Sequence, residues 1–174
     1  MRQFADIGAF LRFMNDVPAK VERAAHVGLE HASLIIEAEA KREIGTYQEA
    51  AGPFQAWEPL SSATMDGFEH PLAGHIPGKT ELGYAPPDNP LLREGFLRES
   101  IGHLVQGFEA VVGSNDPVAV WQEMGTPDAL YPIPPRSFLG GAAVRKTSEA
   151  VHAAAGAVVA AIAGLPPKAA TRAD

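Results

Sequence analysis

The chain lacks cysteine altogether, which excludes disulfide bonds, thiolate metal sites and cysteine nucleophiles. It also lacks a basic block: the formal net charge is −7, which argues against nucleic acid as the main partner. The longest uncharged apolar run covers 13 residues, 153–165, whereas a bilayer span needs roughly 20. Arg2, Asp6 and Arg12 interrupt any signal-peptide core. We therefore expect a soluble intracellular protein without a membrane partner.

Aromatic residues are scarce at 7%, whereas glycine and proline are abundant, with 17 and 15 copies. This composition indicates long irregular stretches rather than a dense sandwich. The length of 174 residues suits one domain, which we place at residues 1–164 and follow with a disordered tail at residues 165–174. Seven prolines fall between residues 45 and 95. We expect an extended arm at about residues 61–90, with a short helix near residues 62–68 as its only regular element.

Helical periodicity is found at both ends of the chain. Residues 4–14 predict a first helix, and Asp16 caps a second helix over residues 17–44, with Pro18 in its first turn and Gly45 as its stop. A last helix is predicted over about residues 141–163. Its apolar stripe packs either on the N-terminal helix of the same chain or on another subunit, and both remain open; the stripe consists of Val144, Ser148, Val151, Ala155, Val158 and Ile162.

The middle of the chain predicts a small sheet. Residues 97–112 fit either a helix or a hairpin, and the valines with the polar exit favour the hairpin. Asp116 then caps a short helix that Gly125 ends, with a buried side formed by Val118, Trp121 and Met124. Residues 127–135 form a second proline-rich segment, which we call the bridge. These elements predict an α+β fold: long N-terminal and C-terminal helices packed on a small antiparallel sheet, with a long proline-rich arm.

The nearest approach to a catalytic motif is AGHIPGKT at residues 73–80, which differs from a phosphate-binding loop at its first glycine. Such a loop lies between a buried strand and a helix, yet Pro86 and Pro87 would break the required helix. An NTP-binding enzyme that uses Lys79 and Thr80 is therefore kept only as an alternative of another class. No other set of residues combines a nucleophile, a base and an orienting group. The histidines lack metal-ligand spacing, so we expect no catalytic residue, metal or cofactor.

Four segments are familiar as an ordered set: AKREIGTYQEAAGPFQAWEPL (residues 40–60), NPLLREGFLRESI (89–101), VVGSNDPVAVWQEMGT (111–126) and IPPRSFLGGAAV (133–144). Together they resemble the phage virion-morphogenesis family of long-tailed bacteriophages, whose members are described as minor tail, neck or tail-completion proteins. The resemblance covers roughly residues 18–150. Its most specific part is Pro-Arg-x-Phe-Leu following Gly-Thr.

The resemblance implies a structural virion protein rather than an enzyme. Such subunits form a homo-oligomeric ring at the head–tail junction, with six subunits favoured, that joins tail to head and lets DNA pass as cargo. It implies neighbouring neck, tail-terminator and head-completion proteins as partners. It places the chain in the virion, and in the host cytoplasm before assembly. A tail-terminator or head-completion ring at an adjacent level is the alternative within the same class.

Irregular segments gain order against neighbouring chains, so we predict that the arm and the bridge make contacts between subunits or between rings. Arg136 is predicted to hold the bridge through a carboxylate or backbone carbonyls, while Phe138 and Leu139 insert into the core; a solvent-facing Arg136 is the alternative. The start of the irregular segment is expected to be anchored on the core by Phe54, Trp57 and Leu60. The candidate interface residues are Trp57, Leu60, Tyr84, Tyr131, Arg136, Phe138 and Leu139.

Overall fold

A long helix begins and another ends the series of elements along the chain, in a computed structural model that describes residues 3–127, 129 and 132–165. This arrangement, with two small two-stranded sheets between the helices, confirms the predicted α+β class. In chain order the elements are α1 (Ile7–Glu43), α2 (Ser62–Asp66), β1 (Phe68–His70), β2 (Gly74–Ile76), α3 (Phe96–Ser100), β3 (Ile101–Gln106), β4 (Glu109–Ser114), α4 (Val118–Met124) and α5 (Leu139–Ala163).

The chain forms two compact units, and both long helices contribute residues to each of them. The first unit comprises the chain up to Ala38, Gly102–Gly113 and the residues from Arg145 onward; the second comprises Glu39–Ile101 and Ser114–Val144. The single domain expected over residues 1–164 stays a prediction. The disordered tail predicted from residue 165 lies outside the described residues apart from Leu165. Within the described part of the chain, no helix has the length and apolar character needed to cross a membrane.

The N-terminal helix α1 is continuous, so our prediction of two separate helices was wrong. Pro18 lies inside α1 rather than near the start of a second helix. A proline removes one backbone hydrogen bond, whereas a break would leave two more helix ends with unpaired groups. Asp6 supports the start of α1 by accepting a bond from the Ala9 amide at 2.7 Å. Gly45 follows the helix with a positive φ of 100°, in agreement with the predicted stop.

Within the first unit, α1 and α5 approach each other through small residues. A Cβ on Gly28 would lie 2.7 Å from the Ala154 carbonyl oxygen, so only glycine fits at this contact. Ala150 and Ala157 are buried on α5, whereas Val151 and Ile162 are exposed. The stripe predicted on α5 therefore lies largely on the exposed side, because close helix approach selects alanine rather than valine for the buried side.

Two helical glycines test this close contact with opposite expected outcomes. Replacing Gly28 with alanine should lower the free energy of unfolding by about 1–2 kcal/mol, because the new methyl group meets the backbone of Ala154. Replacing Gly156 with alanine should raise it by about 0.5–1 kcal/mol, because that position has open space and alanine favours helix. Urea denaturation measures both changes. A Gly28→Ala variant as stable as the wild type would contradict the contact.

The hairpin alternative for residues 97–112 is confirmed. α3 ends at Ser100, β3 and β4 pair, and Gly107 at the turn has a positive φ of 60°. Alternate residues of a strand point to opposite faces. On one face, His103 contacts α1 through both ring nitrogens, Nε2 to Glu30 at 2.9 Å and Nδ1 to Glu37. The two carboxylates bind opposite sides of the ring, so the three groups do not converge on a common point.

The pH dependence of stability should report on this contact. Burial disfavours the charged ring, but hydrogen bonds to Glu37 and Glu30 outweigh burial and raise the pKa of His103. The contribution of His103 is therefore complete below the unfolded-state pKa of about 6.5 and is lost as the pH rises through the higher folded-state pKa. We expect the stability difference between wild type and His103→Gln to shrink from about pH 6 to pH 9. His152→Gln, at an exposed position, is the control. A difference that stays constant with pH would contradict the assignment.

Residues 61–90 are folded rather than extended, so our expectation of an extended arm was wrong. α2 lies within the helix predicted there, but β1 and β2 form an antiparallel hairpin that the sequence reading missed. The chain then returns so close to α2 that a Cβ on Gly78 would lie 2.2 Å from the Gly67 nitrogen. The Lys79 amide donates to the Thr64 carbonyl at 3.0 Å. Backbone groups therefore find partners within the segment, and the hairpin tip at residues 71–73 is one of its exposed parts.

Candidate functional site

The motif residues of the C-terminal half meet around the carboxylate of Glu123 on α4. This carboxylate accepts hydrogen bonds from the amides of Phe138, Leu139 and Gly140 at 2.8–2.9 Å and from the Ser137 hydroxyl. These amides lie at the start of α5, where helix N–H groups lack partners within the helix and the helix dipole favours negative charge. Glu123 therefore caps α5 from a neighbouring helix.

The bridge is held to the end of α4 by paired backbone contacts. The Thr126 amide donates to the Ile133 carbonyl, and the Ile133 amide donates to the Thr126 hydroxyl, both at 2.9 Å. Gly125 ends α4 with a φ of 73°, and a Cβ there would lie 2.8 Å from the Ile133 oxygen. Glycine is thus required both by backbone conformation and by space. The Gly-Thr motif closes the bridge onto α4.

Arg136 ties the bridge to the segment before α2. Its guanidinium donates to the Glu58 carbonyl at 2.9 Å and 3.3 Å and to the Pro59 carbonyl at 3.3 Å. Its own amide donates to the Gln122 carbonyl at 2.6 Å. The predicted contact with backbone carbonyls is confirmed. Burial lowers the pKa of Arg136 from its ordinary value, but guanidinium remains charged at any physiological pH.

The structure places the candidate interface residues in two different settings. Trp57, Arg136 and Phe138 are 6%, 5% and 0% exposed, so they are internal residues of the second unit. Leu60, Tyr84 and Leu139 are partly buried, and Tyr131 lies outside the described residues. For Trp57, Arg136 and Phe138 we therefore assign a role inside the chain, whereas the interface role of the other four stays a prediction. Phe138 inserts fully into the core, as expected.

The predicted buried side of α4 was wrong, because its three members are exposed: Val118, Trp121 and Met124. α4 instead buries Ala119, which shares its face with Gln122 and Glu123 at helical spacing. Glu123 is needed inside because its side chain accepts the hydrogen bonds of α5, and the backbone carbonyl of Gln122 accepts the Arg136 amide. The apolar residues are consequently left on the outside.

Exposed apolar side chains on the outer side of α4 lie next to a groove lined by described residues of the bridge, and we call the two together the α4–bridge surface. Val120, Trp121 and Met124 on α4 are 62%, 52% and 71% exposed. Beside them is an open groove with a volume of about 410 Å³. Four bridge prolines line this groove together with Glu58, Met124 and Ile133; they are Pro127, Pro132, Pro134 and Pro135. An exposed, mostly apolar surface of this kind suits contact with another protein.

Val120 was not among the predicted site residues, and the exposure of Trp121 was not expected from the sequence. The signal was present at helical spacing, because Ala119, Gln122 and Glu123 recur on one face and Val120, Trp121 and Met124 on the opposite one. The prediction placed the apolar residues of α4 in the core because apolar side chains are usually buried.

The phosphate-loop-like segment has a different geometry from a phosphate cradle. Residues 74–76 form β2, and no helix follows Lys79 directly. The Lys79 ammonium is buried and donates to the backbone and side-chain oxygens of Asn89 at 2.6 Å and 2.7 Å. Burial and the charge of Arg93 lower the pKa of Lys79 from its ordinary value. The Lys79 ammonium thus binds Asn89, a residue ten positions later in the same chain, in place of a phosphate.

The hairpin of β1 and β2 carries a second histidine between two carboxylates. His75 is exposed and contacts Glu81 at 2.8 Å and Glu69 at 3.0 Å through different ring nitrogens. Hydrogen bonds to Glu81 and then Glu69 raise the pKa of His75. Over residues 3–127, 129 and 132–165, no three histidine or acidic side chains are grouped so that they could hold a metal ion.

Comparisons with known proteins leave the α4–bridge surface to be interpreted from its own chemistry. No family model, curated protein or solved structure matches the chain.

Proposed function

We propose that the chain is a structural virion protein of a long-tailed bacteriophage, a ring subunit at the head–tail junction that joins tail to head and lets DNA pass. One observation carries the proposal. Three of the four segments that resemble the phage virion-morphogenesis family meet at one joint, where Glu123 binds the start of α5, Thr126 binds the bridge and Arg136 binds the Glu58 carbonyl. The motif residues therefore hold segments of the chain together, and this role requires no catalytic activity.

The surface chemistry supports a role in assembly. The α4–bridge surface is mostly apolar, and Thr126 and Arg136 form hydrogen bonds on either side of it in the chain. Exposed apolar side chains of this kind favour contact with another protein. The net charge of −7 also suits the wall of a channel, because repulsion prevents passing DNA from binding. We propose neighbouring neck, tail-terminator or head-completion proteins as the partners of this surface.

The main alternative is a ring subunit of the same kind at an adjacent level of the neck. A tail-terminator or head-completion ring would use the same kind of subunit and the same surface. The sixfold ring follows from the resemblance alone. Locating the chain in images of whole virions would distinguish the levels.

Complementation of a phage whose own copy is inactivated tests the function. The wild-type chain supplied in the host should restore mature virions. Trp121→Ser should leave a folded protein but yield separate heads and tails, because it removes the largest side chain of the α4–bridge surface. Phe96→Ser, at an exposed aromatic position outside that surface, is the matched control. Mature virions that lack the protein would overturn the proposal.

The hairpin tip offers a separate test of contacts made by residues 61–90. Replacing residues 71–73 with a two-residue Asn-Gly turn should keep the fold, because these residues are exposed and such a turn suits a hairpin. We expect head–tail joining to fall at least tenfold in the complementation assay. A larger deletion would also remove the buried Lys79. A defect in head–tail joining could then come from an unstable fold rather than from lost contacts with other proteins. Full complementation by the shortened hairpin would show that the tip makes no essential contact.

The NTP-binding alternative finds little support in the geometry of Lys79. Its ammonium already bonds to Asn89, and phosphate would have to displace both of those bonds. Titration calorimetry with ATP and magnesium should give no heat of binding. Saturable binding that Lys79→Ala abolishes would favour the enzyme.

A further inference from the structure

The β3–β4 hairpin is fixed at its root but loosely packed beyond it. At the root, Ile101 is 2% exposed, and the hydroxyl oxygens of Ser100 and Ser114 share a hydrogen bond of 2.6 Å. None of residues 102–113, all of which the structure describes, is buried. Three large apolar side chains among them are 65–66% exposed: Leu104, Phe108 and Val111. Apolar burial therefore contributes little to holding this part of the hairpin in place.

A glycine lies on each strand just beyond the root. Gly102 is the second residue of β3, and Gly113 is the last but one residue of β4, so the two glycines occupy corresponding positions in the hairpin. A Cβ at either position would meet no atom within 4 Å apart from its two chain neighbours. Because glycine permits wide backbone rotation and the space around both positions is open, this pair suits a hinge.

Beyond the two glycines, a polar contact joins the hairpin to α1 within the first unit. Nε2 of His103 lies 2.9 Å from a carboxylate oxygen of Glu30, and Nδ1 contacts Glu37. The two carboxylates are two helical turns apart on one side of α1. Ser33, between them on the same side, is 2% exposed. His103 therefore attaches the hairpin to two turns of α1 at once.

The two contacts require a charged imidazole ring. An ionised carboxylate only accepts hydrogen bonds, whereas a neutral imidazole has one N–H donor and one acceptor nitrogen. Glu30 and Glu37 can therefore both be bonded only while both ring nitrogens of His103 carry protons. When the ring loses a proton, one carboxylate faces a lone pair. The side chains of His103 and Glu37 are 17% and 12% exposed, so water screens the resulting repulsion only weakly.

The charged groups that act on His103 lie on α1. Burial disfavours the charged ring, but hydrogen bonds to Glu37 and Glu30 and the charges of these two residues raise the pKa of His103. In the described part of the chain, the shift involves neither Glu109, the only charged residue of the hairpin, nor any charged residue of α5. The contact is therefore controlled by a single proton.

We propose that His103 is a proton-controlled latch: the protonated ring holds the β3–β4 hairpin on α1, and loss of the proton lets the hairpin rotate away about Gly102 and Gly113 while the rest of the chain stays folded. The latch is closed below a pH of about 6.5, the ordinary pKa of histidine, and opens as the pH rises through the higher folded-state pKa. The pH thereby controls whether this side of α1 is covered. The latch operates whether or not the chain is a virion protein.

The distance between two spin labels tests the latch in the whole chain. Because the chain has no cysteine, Glu22→Cys on α1 and Gln106→Cys on the hairpin, both at exposed positions, introduce the only labelling sites. We expect the population with the longer label distance to rise about threefold or more between pH 6 and pH 9. The far-ultraviolet circular dichroism spectrum should stay unchanged over the same range, because only the hairpin moves.

Two substitutions at position 103 should fix the latch in opposite states. His103→Gln cannot carry a charge, so the hairpin should be open at every pH. His103→Arg stays charged and can donate to both carboxylates, so the hairpin should be closed even at pH 9. His75→Gln is the matched control, because His75 also lies between two carboxylates but belongs to the β1–β2 hairpin. It should respond to pH like the wild type. The Arg variant alone decides the question if the Gln variant does not fold.

The hinge has its own test. Gly102→Ala combined with Gly113→Ala adds two methyl groups in open space, so the closed hairpin should be retained. The stiffer backbone should reduce the population with the longer label distance at pH 9 by about half or more. A population equal to that of the wild type would overturn the placement of the hinge at these glycines.

Three results would overturn the latch as a whole. The first is a label distance that does not change between pH 6 and pH 9. The second is a pH response that persists in His103→Arg. The third is a neutral His103 ring at pH 6, which nitrogen chemical shifts in nuclear magnetic resonance would detect. Loss of the circular dichroism signal together with the change in distance would also overturn it, because the rest of the chain would then unfold with the hairpin.

Discussion

Replacing Glu123 with alanine should lower the free energy of unfolding by about 3 kcal/mol, the largest effect that we expect from one side chain. The carboxylate accepts bonds from the Phe138, Leu139 and Gly140 amides and from the Ser137 hydroxyl. Alanine would leave these donors without a partner in a part-buried place and would remove the negative charge at the start of α5. Urea denaturation measures the loss.

Two further variants identify the cause of that loss. Glu123→Gln keeps the size and the acceptor oxygen but removes the charge, so we expect about half of the effect. Glu149→Ala removes an exposed carboxylate that pairs with Lys146 at 2.8 Å, and it should change stability by less than about 0.5 kcal/mol. If Glu123→Ala were as mild as Glu149→Ala, capping of α5 by Glu123 would be disproved.

Replacing Arg136 with alanine should lower the free energy of unfolding by about 2–3 kcal/mol. The guanidinium is buried and binds the carbonyls of Glu58 and Pro59, so its removal leaves two acceptors unpaired and the bridge loose. The variant should also become sensitive to proteolysis within residues 127–135, because the bridge loses its attachment to the segment before α2. Denaturation and limited proteolysis measure the two effects.

Lysine distinguishes geometry from charge at position 136. Lysine keeps the charge but offers a compact ammonium rather than a planar fork, so we expect Arg136→Lys to recover less than half of the stability. Arg23→Ala, at an exposed position of α1, serves as the control and should be neutral. Full stability in Arg136→Lys would show that the fork geometry is unimportant.

Several elements were predictable because local chemistry decides them. Gly45 and Gly125 end helices, and both have a positive φ. The hairpin at residues 101–114 follows from its valines and its glycine turn, and Asp116 accepts a bond from the Val118 amide at 2.9 Å, as a residue before a helix should. Each of these features depends on interactions within a few residues, so periodicity and turn chemistry are sufficient to find them.

Other features could not be predicted, because they depend on residues far apart in the chain. Whether Pro18 breaks a helix depends on what the two halves pack against. The fold of residues 61–90 depends on the close approach of Gly67 and Gly78. The exposed side of α4 depends on Glu123, whose carboxylate is required by amides 15–17 residues away. No periodicity of apolar residues encodes these requirements.

The amino-acid sequence was sufficient to determine the α+β class, the helical character of both ends of the chain, the absence of thiol chemistry and the motif order that underlies the proposed function. The three-dimensional arrangement was needed to show that Arg136 and Phe138 are internal, that Lys79 is occupied and that Val120, Trp121 and Met124 face outward. The physical reason is that burial and hydrogen-bond partners are set by packing between distant segments, whereas helix ends and turns are set by neighbouring residues.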